Sequence, residues 1–484
     1  MEFEVWAPKA SSVAVRCNDN DRPLARDEGL WRGQAQARVG DDYLFVVDGQ
    51  ALPDPCSRRQ PEGVRGPSRV VEPARAAVWK GLSLDELVLY ELHVGAFSDA
   101  GTFDGAIPHL RQLAELGVTA VEVMPIATFP GERGWGYDGL YAYAPHEAYG
   151  GPGGFTRFVD AAHREGLGVV LDVVYNHLGP GSEAIGAFGP YFTDRHETFW
   201  GPALDYSQRG VREWAIQNAE LWVRDYKVDG LRLDAVHSIF DDNPTHVLAE
   251  LAERVRTHNP RVLVTSEIET GDLRAIRQWG HDAQWADELH HELHVLLTAE
   301  CEGYYAGYGS VEGLTDQLRR IPPERLIVCS QNHDQVGNRA LGDRPAADEL
   351  RVRAATVLFA PQTPLLFMGE EYGERRPFQF FTDHIDPEIA RATREGRRQE
   401  FAHFAAFAGE DVPDPQARET YERSKLDRSH ADEELRSFYR ELLAQRRELP
   451  RAIEVETEGR TLRARRGPVE LRVDFDAKTA ELVR

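Results

Sequence analysis

The fold is decided by residues 169–177, Val169-Val170-Leu171-Asp172-Val173-Val174-Tyr175-Asn176-His177. Within the first six positions of this stretch, only Asp172 is polar. Apolar runs of this length are typical of parallel strands that are buried on both faces. The polar side chains that follow the run predict a strand whose carboxyl end carries functional groups. The stretch therefore indicates an α/β fold built on parallel strands.

Short apolar runs of the same kind recur from Leu87 onward, with helical segments between them. One such segment, residues 211–222, carries mostly apolar side chains at helical spacing. Repeated strand–helix units over this length predict a (β/α)8 TIM barrel. A doubly wound open sheet is the alternative, but no GxGxxG motif follows the first strand. The other runs are Val88–Tyr90, Ala120–Val123, Gly230–Asp234, Val262–Val264, Leu326–Val328 and Pro364–Phe367.

The two ends of the chain alternate between apolar and other side chains, which is the period of half-buried strands. We therefore predict an N-terminal β-sandwich at residues 1–82 and a small C-terminal β domain at 451–484. Between them we expect the catalytic barrel at 83–410 and a helical extension at 411–450. Residues 52–73 are rich in Pro, Arg and Gly. This composition predicts a linker, or a loop that packs on a neighbouring domain.

Acidic residues outnumber basic ones, with 80 Asp and Glu against 56 Lys and Arg and a formal net charge of −24. Such a surface repels phosphate backbones, so we expect no nucleic-acid partner. A membrane span needs about 18 consecutive apolar residues, and the sequence has no such run. Residues 1–6 lack the features of a secretory signal, and the four scattered cysteines form no CxxC pair. We therefore expect a cytoplasmic protein with reduced cysteines and no membrane partner.

Four of the predicted strands end in ionisable side chains, where a barrel of this kind gathers its catalytic groups. An Asp at a single strand end is more often a helix cap or a loop ligand, and we predict that Asp172 is structural. Four such ends in order are harder to explain by structure alone, so they predict an acidic cleft. They lie at Asp172–His177, Arg232–His237, Thr265–Glu267 and Asn332–Asp334.

Most glycoside hydrolases use two carboxyl groups, one on each side of the scissile bond. We predict that Asp234 is the nucleophile, because Arg232 lies on the same face of the strand and favours an ionised neighbour. We predict that Glu267 is the proton donor, since burial and nearby negative charge keep a carboxyl protonated. Asp334 is expected to hydrogen-bond sugar hydroxyls and to help raise the pKa of Glu267.

Further side chains are candidates for binding the substrate. His177 and His333 supply hydrogen-bond donors for hydroxyl groups. Trp135 and Tyr137, like Trp285 and Phe381, can stack on sugar rings, but packing in the core is an equally good interpretation. The other candidates border the predicted cleft: Arg232, His237, Asp287, His290, His291, Gln335, Asn338 and Arg339.

A metal site is weakly suggested by His290 and His294, which stand four residues apart as in the zinc-binding HExxH motif. In that motif Glu directly follows the first His, but here His291 occupies the position. Counted from His291, the second His comes one residue too early. We therefore predict no metal site and no cofactor.

The four strand ends resemble the signature regions of the α-amylase family of glycoside hydrolases. The matching segments are DVVYNH at 172–177, GLRLDAVH at 230–237, TSE at 265–267 and NHD at 332–334. The resemblance implies retention of the anomer by double displacement. It also implies that Asp234 is the nucleophile, Glu267 the general acid/base and Asp334 the transition-state stabiliser. Ile268 departs from the family pattern, which more often has a polar residue after the acid Glu.

Longer segments are similar to the maltooligosyltrehalose trehalohydrolase subfamily. Among them are WADELHHELHVLLTAECEGYY at 285–305, CSQNHDQVGNRALGDR at 329–344 and FEVWAPKASSVAV at 3–15. The last resembles a carbohydrate-binding-like β-sandwich that branching and debranching enzymes share. The resemblance implies hydrolysis of the α-1,4 bond next to the terminal α,α-trehalose of maltooligosyltrehalose. The expected substrates are maltooligosyltrehalose and related α-glucans. It also implies a maltooligosyltrehalose synthase as the pathway partner.

Two other functions remain open at this point. One is glucan branching or debranching on the same barrel. The other is an inactive glucan-binding protein that kept the barrel. The joint presence of Asp234, Glu267 and Asp334 argues against the inactive protein, because a binding module needs no such set.

Overall fold

The computed structural model of the chain describes residues 1–74, 76–77, 79–198, 200–401 and 412–483. Its first strands are β1 (Glu2–Trp6), β2 (Val13–Cys17), β3 (Asn20–Pro23), β4 (Ala25–Asp27), β5 (Leu30–Gln34), β6 (Asp42–Val47), β7 (Gln50–Leu52) and β8 (Ser68–Arg69). They form two antiparallel sheets, in the orders β1-β5-β4 and β3-β2-β6-β7, with β8 paired to β6. Side chains alternate between buried and half-buried along β6, as the period of two predicted.

The centre of the molecule is a closed barrel of parallel strands, which confirms the predicted TIM barrel. Its strands are β9 (Leu89–Leu92), β10 (Ala120–Val123), β13 (Gly168–Val173), β16 (Gly230–Leu233), β17 (Leu263–Ser266), β18 (Ala283–Trp285), β19 (Leu326–Cys329) and β20 (Thr363–Phe367). Two small hairpins lie between barrel strands: β11 (Ala127–Thr128) with β12 (Tyr141–Pro145), and β14 (Phe192–Thr198) with β15 (Gly201–Leu204).

Seven of these eight barrel strands overlap an apolar run that predicted them. The exception is β18, which was not predicted. It is only three residues long and has the polar Gln284 at its centre, so it leaves no apolar run in the sequence. Its place in the barrel comes from pairing with β17 and β19, which are neighbours in space.

Helices surround the barrel strands. They are α1 (Val94–Phe97), α2 (Phe103–Ala106), α3 (Leu110–Leu116), α4 (Gly151–Arg164), α5 (Glu183–Gly186), α6 (Arg209–Arg224), α7 (Val247–His258), α8 (Arg274–Arg277), α9 (Glu288–Thr298), α10 (Val311–Leu318), α11 (His333–Gly337), α12 (Leu350–Phe359), α13 (Pro387–Phe401), α14 (Arg418–Ser424) and α15 (Glu433–Arg446). The amphipathic segment predicted at 211–222 lies within α6, where Trp214, Leu221 and Trp222 are buried.

The C-terminal residues form a four-stranded antiparallel sheet in the order β21 (Glu454–Glu458), β22 (Thr461–Arg466), β23 (Val469–Asp474) and β24 (Thr479–Val483). Its apolar face packs on α12 of the barrel, in a cluster that includes Leu462, Val473 and Val352. Arg466, 1% exposed, donates to the carbonyl oxygens of Phe359 and Ala360 at the end of that helix. This sheet is therefore anchored to the barrel by both apolar contacts and hydrogen bonds.

The predicted fold class, a barrel with β regions at both ends, is confirmed. The exact domain boundaries stay a prediction, and the one between 410 and 411 lies outside the described residues. Within the described ranges, no helix combines the length and the apolar composition that crossing a bilayer requires.

The contact between the N-terminal sheets and the barrel supplies a test of the fold. Phe45 is 0% exposed and meets Phe188 of the barrel edge to face, with ring centroids 6.3 Å apart. We expect Phe45→Ala to lower the free energy of unfolding by about 3–5 kcal/mol, as large cavities in a core do. Val46→Ala, on the half-buried opposite face, is the control and should cost roughly 1 kcal/mol or less. Chemical denaturation measures both, and equal costs would contradict this packing.

Candidate active site

One buried guanidinium holds three carboxyl groups at the carboxyl edge of the barrel. Arg232 Nη1 donates to Asp172 Oδ2 and to Asp234 Oδ1, each at 2.8 Å. Arg232 Nη2 donates to Glu267 Oε2, also at 2.8 Å. The side chain of Arg232 is 0% exposed, and its guanidinium carbon lies 4.3 Å from the ring centroid of Trp285. A cation buried this deeply requires charged partners, and these carboxyls supply them.

The barrel explains why these four groups meet. Asp172 and Arg232 are paired across β13 and β16, which run parallel and end at the same edge. Asp234 lies two residues after Arg232 and so points to the same side. Glu267 directly follows β17, the next strand in the barrel. The ends of β13, β16 and β17 therefore lie close together, as the sequence led us to expect.

The residue after Asp234 turns the chain sharply. Ala235 has a φ of 39°, in the left-handed region that residues with a Cβ seldom occupy. In this conformation its backbone N–H donates to Glu267 Oε2 at 3.0 Å. Strained backbone of this kind concentrates at functional sites, because it is kept only where the surroundings enforce it. The turn connects the two carboxyls predicted to be catalytic.

Glu267 has the environment that a proton donor needs. Burial raises the pKa of Glu267 above its usual range, while the charge of Arg232 opposes the shift. The negative charge of Asp234 and a hydrogen bond between the two carboxyls raise the pKa of Glu267 further. Its side chain is 25% exposed, so it remains accessible from the cleft.

Asn176 fixes the other side of Asp234. Its Nδ2 donates to Asp234 Oδ2 at 2.7 Å and to the backbone oxygen of Asp234 at 2.8 Å. Its Oδ1 bonds with Nδ1 of the neighbouring His177. The ring of His177 stacks on Trp200 with centroids 4.4 Å apart, and burial lowers the pKa of His177 to about 4. At neutral pH this histidine is therefore uncharged.

The ring of His333 lies beside the third predicted carboxyl, Asp334. His333 Nε2 is 3.4 Å from Asp334 Oδ1, and Asn338 Nδ2 donates to the same oxygen at 2.9 Å. Burial alone would lower the pKa of His333. The charges of Asp334 and Glu91 outweigh burial and raise the pKa of His333 to about 10. Asp334 is 30% exposed, so it faces the cleft.

Tyr137 links His333 to the carboxyls around Arg232. Its hydroxyl donates to Asp172 Oδ2 at 2.7 Å and lies 2.8 Å from His333 Nε2. Trp135 is 5% exposed and stacks on Phe378, with its indole N–H donating to the Gln379 backbone oxygen. For Trp135 the burial favours core packing, which the sequence had left open beside sugar stacking. Trp285 and Phe381 are likewise buried, at 5% and 0% exposed.

The remaining predicted contacts fall in two places. Burial raises the pKa of Asp287 to about 7, and the nearby charges of Asp334 and Glu267 add to this shift, so Asp287 belongs to the acidic cluster. His237 is half-buried and follows Asp234 in a short 3-10 turn. A neighbouring cavity of about 250 Å³ brings together three of the other candidates, namely His290, Gln335 and Arg339.

The walls of this cavity are held by hydrogen bonds and ion pairs. Gln335 Nε2 is 3.4 Å from Nε2 of His291, which adds that candidate to the group. Arg339 pairs with Glu300 and Asp343. In the described part of the chain, no cluster of three or more His, Cys, Asp or Glu side chains is arranged to hold a metal ion.

Two residues at the site were not predicted. Asn176 stands in the quoted run, but its contact with Asp234 requires the register of two strands. Glu91 is an isolated carboxyl in the apolar strand β9, and that isolation is the signal that could have marked it. Its partner, His333, lies more than 240 positions along the chain.

Comparison with known proteins places the chain among carbohydrate-active enzymes. The Alpha-amylase family model, for the alpha amylase catalytic domain, matches residues 67–187. A malto-oligosyltrehalose trehalohydrolase of Arthrobacter ramosus is 44% identical, with the match covering 93% of this chain and 87% of that protein. One of Deinococcus radiodurans is 42% identical, with coverage of 93% and 81%.

One solved structure is similar to this chain in both fold and sequence. A Salmonella typhimurium protein assigned as an alpha amylase superposes with a TM-score of 0.89 at 39% sequence identity. The match covers 97% of this chain and 90% of that one. The similarity therefore extends over the barrel and both β regions.

Asn176→Ala tests whether Asp234 must be held from both sides. We expect kcat on an α-glucan substrate to fall about 10- to 100-fold, since a hydrogen bond to a charged group contributes about 1.5–3 kcal/mol. Steady-state kinetics measure the loss, and circular dichroism should show an intact fold. Asn20→Ala, on an exposed strand, is the control and should leave kcat unchanged. Wild-type kcat in Asn176→Ala would show that this contact is dispensable.

Proposed function

The chain belongs to the malto-oligosyltrehalose trehalohydrolase family, and we propose that it hydrolyses the α-1,4-glucosidic bond next to the terminal α,α-trehalose of maltooligosyltrehalose. The products are trehalose and a shortened maltooligosaccharide. The observation that carries the proposal is the site around Arg232, where Asp234 and Glu267 share one guanidinium at the mouth of the barrel.

The reaction is a double displacement. In the first step a carboxylate oxygen of Asp234 bonds to C1 of the glucose next to the trehalose, and the bond from C1 to the trehalose oxygen breaks. Glu267 gives its proton to that oxygen, so trehalose leaves neutral. In the second step Glu267 takes a proton from water, the water oxygen bonds to C1, and Asp234 is released. Two inversions retain the α configuration.

The way the two carboxyls bind Arg232 supports retention. Asp234 and Glu267 bind adjacent amino groups of one guanidinium, and the two carboxyls also hydrogen-bond to each other. Inverting enzymes separate their carboxyls by about 6.5–9.5 Å to admit a water molecule, whereas retaining enzymes bring them to about 5–5.5 Å. Binding to adjacent amino groups of one guanidinium favours the shorter separation.

The other predicted residues are assigned by where they lie. We assign Asp334, with His177, to the hydroxyls of the glucose that reacts. His333, whose ring nitrogens lie against Glu91 and Tyr137, orients Asp334 from behind instead of binding the sugar. Tyr137 and Arg232 keep the carboxyls in place, and Trp135 packs edge to face against the ring of His333. For the trehalose side we assign polar groups that can reject a plain glucan end, because unmatched buried groups are penalised. These are His237, Asp287, His290, His291, Gln335, Asn338 and Arg339.

The proposal also covers the pathway partner, the cellular location and the domain boundaries of the enzyme. A maltooligosyltrehalose synthase would be the partner that forms the substrate. A cytoplasmic location is supported by the cysteines, since Cys17, Cys56, Cys301 and Cys329 are all free thiols. The domain boundaries at residues 82, 410 and 450 are part of the same proposal.

Product analysis on two matched substrates tests the function. One is a maltooligosaccharide ending in α,α-trehalose, and the other is the plain maltooligosaccharide of equal length. We expect rapid release of trehalose from the first and slow attack on the second. Equal attack on both would contradict the trehalose specificity. A change in the iodine staining of amylose, or release of chains from α-1,6 points, would indicate branching or debranching instead.

A glycosyl fluoride separates the roles of the two carboxyls. Glu267→Gln and Asp234→Asn should each lower glucan hydrolysis by at least about 10²-fold. With α-maltosyl fluoride, whose leaving group needs no proton, Glu267→Gln should release a rapid burst of about one fluoride per enzyme molecule, because its nucleophile is intact. Asp234→Asn should show no burst, and it serves as the matched control. Rapid fluoride release by Asp234→Asn would show that Asp234 is not the nucleophile. No fluoride release by folded Glu267→Gln would show that Glu267 is not simply the proton donor.

A further inference from the structure

Glu91 is a carboxyl inside the barrel, on β9 and 1% exposed. Its Oε2 accepts the backbone N–H of His333 at 2.8 Å. Its Oε1 lies 2.6 Å from Nδ1 of the same residue. Because both oxygens bind one histidine, Glu91 fixes the first residue of α11 and the orientation of its ring together.

A continuous chain of hydrogen bonds leads from this ring to the catalytic carboxyls. His333 Nε2 lies 2.8 Å from the hydroxyl oxygen of Tyr137, and that hydroxyl lies 2.7 Å from Asp172 Oδ2. The same oxygen of Asp172 accepts from Arg232 Nη1 at 2.8 Å. Arg232 in turn holds both catalytic carboxyls. Glu91 is therefore the far end of a chain that reaches the reacting groups without touching the substrate.

The protonation state of His333 determines which atom donates and which accepts in each of these hydrogen bonds. As an imidazolium, His333 donates from Nδ1 to Glu91 and from Nε2 to Tyr137. The single hydroxyl proton of Tyr137 must then point to Asp172. As a neutral ring with its proton on Nδ1, His333 would accept at Nε2 and compete with Asp172 for that proton. Asp172 would lose a donor and its fixed position against Arg232.

The surroundings favour the imidazolium. Burial disfavours it, but the charges of Asp334 and Glu91 and the hydrogen bond to Glu91 outweigh burial. The positive charge of Arg232 opposes them in part. The other titratable groups that face the ring are Asp172, Tyr137, Glu122 and His93.

We propose that Glu91 is a positioning residue that keeps His333 charged, and through Tyr137 and Asp172 keeps Arg232 aligned with the two catalytic carboxyls. The proposal rests on the proposed double displacement but not on its trehalose specificity. It assigns a function to a buried carboxyl that neither binds substrate nor exchanges a proton with it.

Glu122 offers a matched control in the same layer of the barrel. It is paired in register with Glu91 on the neighbouring strand β10 and is also 1% exposed. Neither of its carboxyl oxygens has a hydrogen-bond partner among the described residues. Burial raises the pKa of Glu122 well above its usual range, which favours the neutral form. Glu122→Gln therefore replaces this carboxyl by a neutral group of the same shape.

The test compares pH profiles of kcat/KM for Glu91→Gln, Glu91→Asp, Glu122→Gln and the wild type on α-maltosyl fluoride. This substrate needs neither trehalose recognition nor a proton from Glu267, so the alkaline side of the profile reports other groups. We expect kcat/KM of Glu91→Gln at pH 8 to be about 10- to 100-fold lower than wild type, with the loss growing as pH rises from 5 to 8. Glu91→Asp should restore the shape of the profile, and Glu122→Gln should match wild type.

An unchanged profile shape in Glu91→Gln, whether or not its height falls, would overturn the proposal, because purely structural damage lowers activity at every pH alike. A second measurement needs no Glu91 variant. In ¹⁵N-histidine NMR spectra of the wild type, the imidazole signal that is missing in His333→Gln should remain that of a protonated ring up to pH 9. Deprotonation of that ring below pH 8 would refute the proposal. A failure of the trehalose-release experiment would leave both results unaffected, so the two proposals fail separately.

Discussion

The burial of Arg232 is the constraint on which the rest of the site depends. A guanidinium with none of its side chain exposed is stable only when anions surround it, and the anions are equally costly without the cation. Asp172, Asp234 and Glu267 therefore cannot be placed independently of one another. The barrel meets the requirement because its parallel strands deliver all four groups to one edge. The proposed catalysis uses an arrangement that the electrostatics of a buried charge already enforces.

The same arrangement makes chemically similar groups behave differently. Burial raises the pKa of Asp172 to about 7 and also raises that of Glu267, with Arg232 opposing both shifts. Asp234 has each oxygen held by a separate donor, Arg232 on one side and Asn176 on the other. One carboxyl is thus suited to carry a proton, and its neighbour to present a fixed oxygen. The differences arise from contacts of two or three ångströms, not from residue type.

Much of this site could be predicted from the sequence because it depends on local position. Asp234 and Glu267 each follow an apolar run, and a run of that kind predicts a strand whose end carries the residue. The strand β18 could not be predicted, because its three residues contain no apolar run. Glu91 and Asn176 could not be predicted for another reason. Their partners are far away in the sequence, and only the strand register of the closed barrel brings them together. Burial is also a property of the whole fold. Trp135 could have stacked on a sugar ring as far as the sequence shows, but in the fold it is packed in the core.

Trapping the covalent intermediate tests most directly which of the carboxyls on Arg232 bonds to the sugar. The reagent is an α-maltosyl fluoride with a second fluorine at C5 of the reacting glucose, which slows hydrolysis of the glycosyl-enzyme. Peptic digestion and mass spectrometry then locate the added sugar. We expect it on the peptide containing residues 230–237, with fragmentation placing it on Asp234. A sugar attached to Asp172, Glu267 or Asp334 instead would contradict the assignment of the nucleophile and, with it, the roles derived from the Arg232 site.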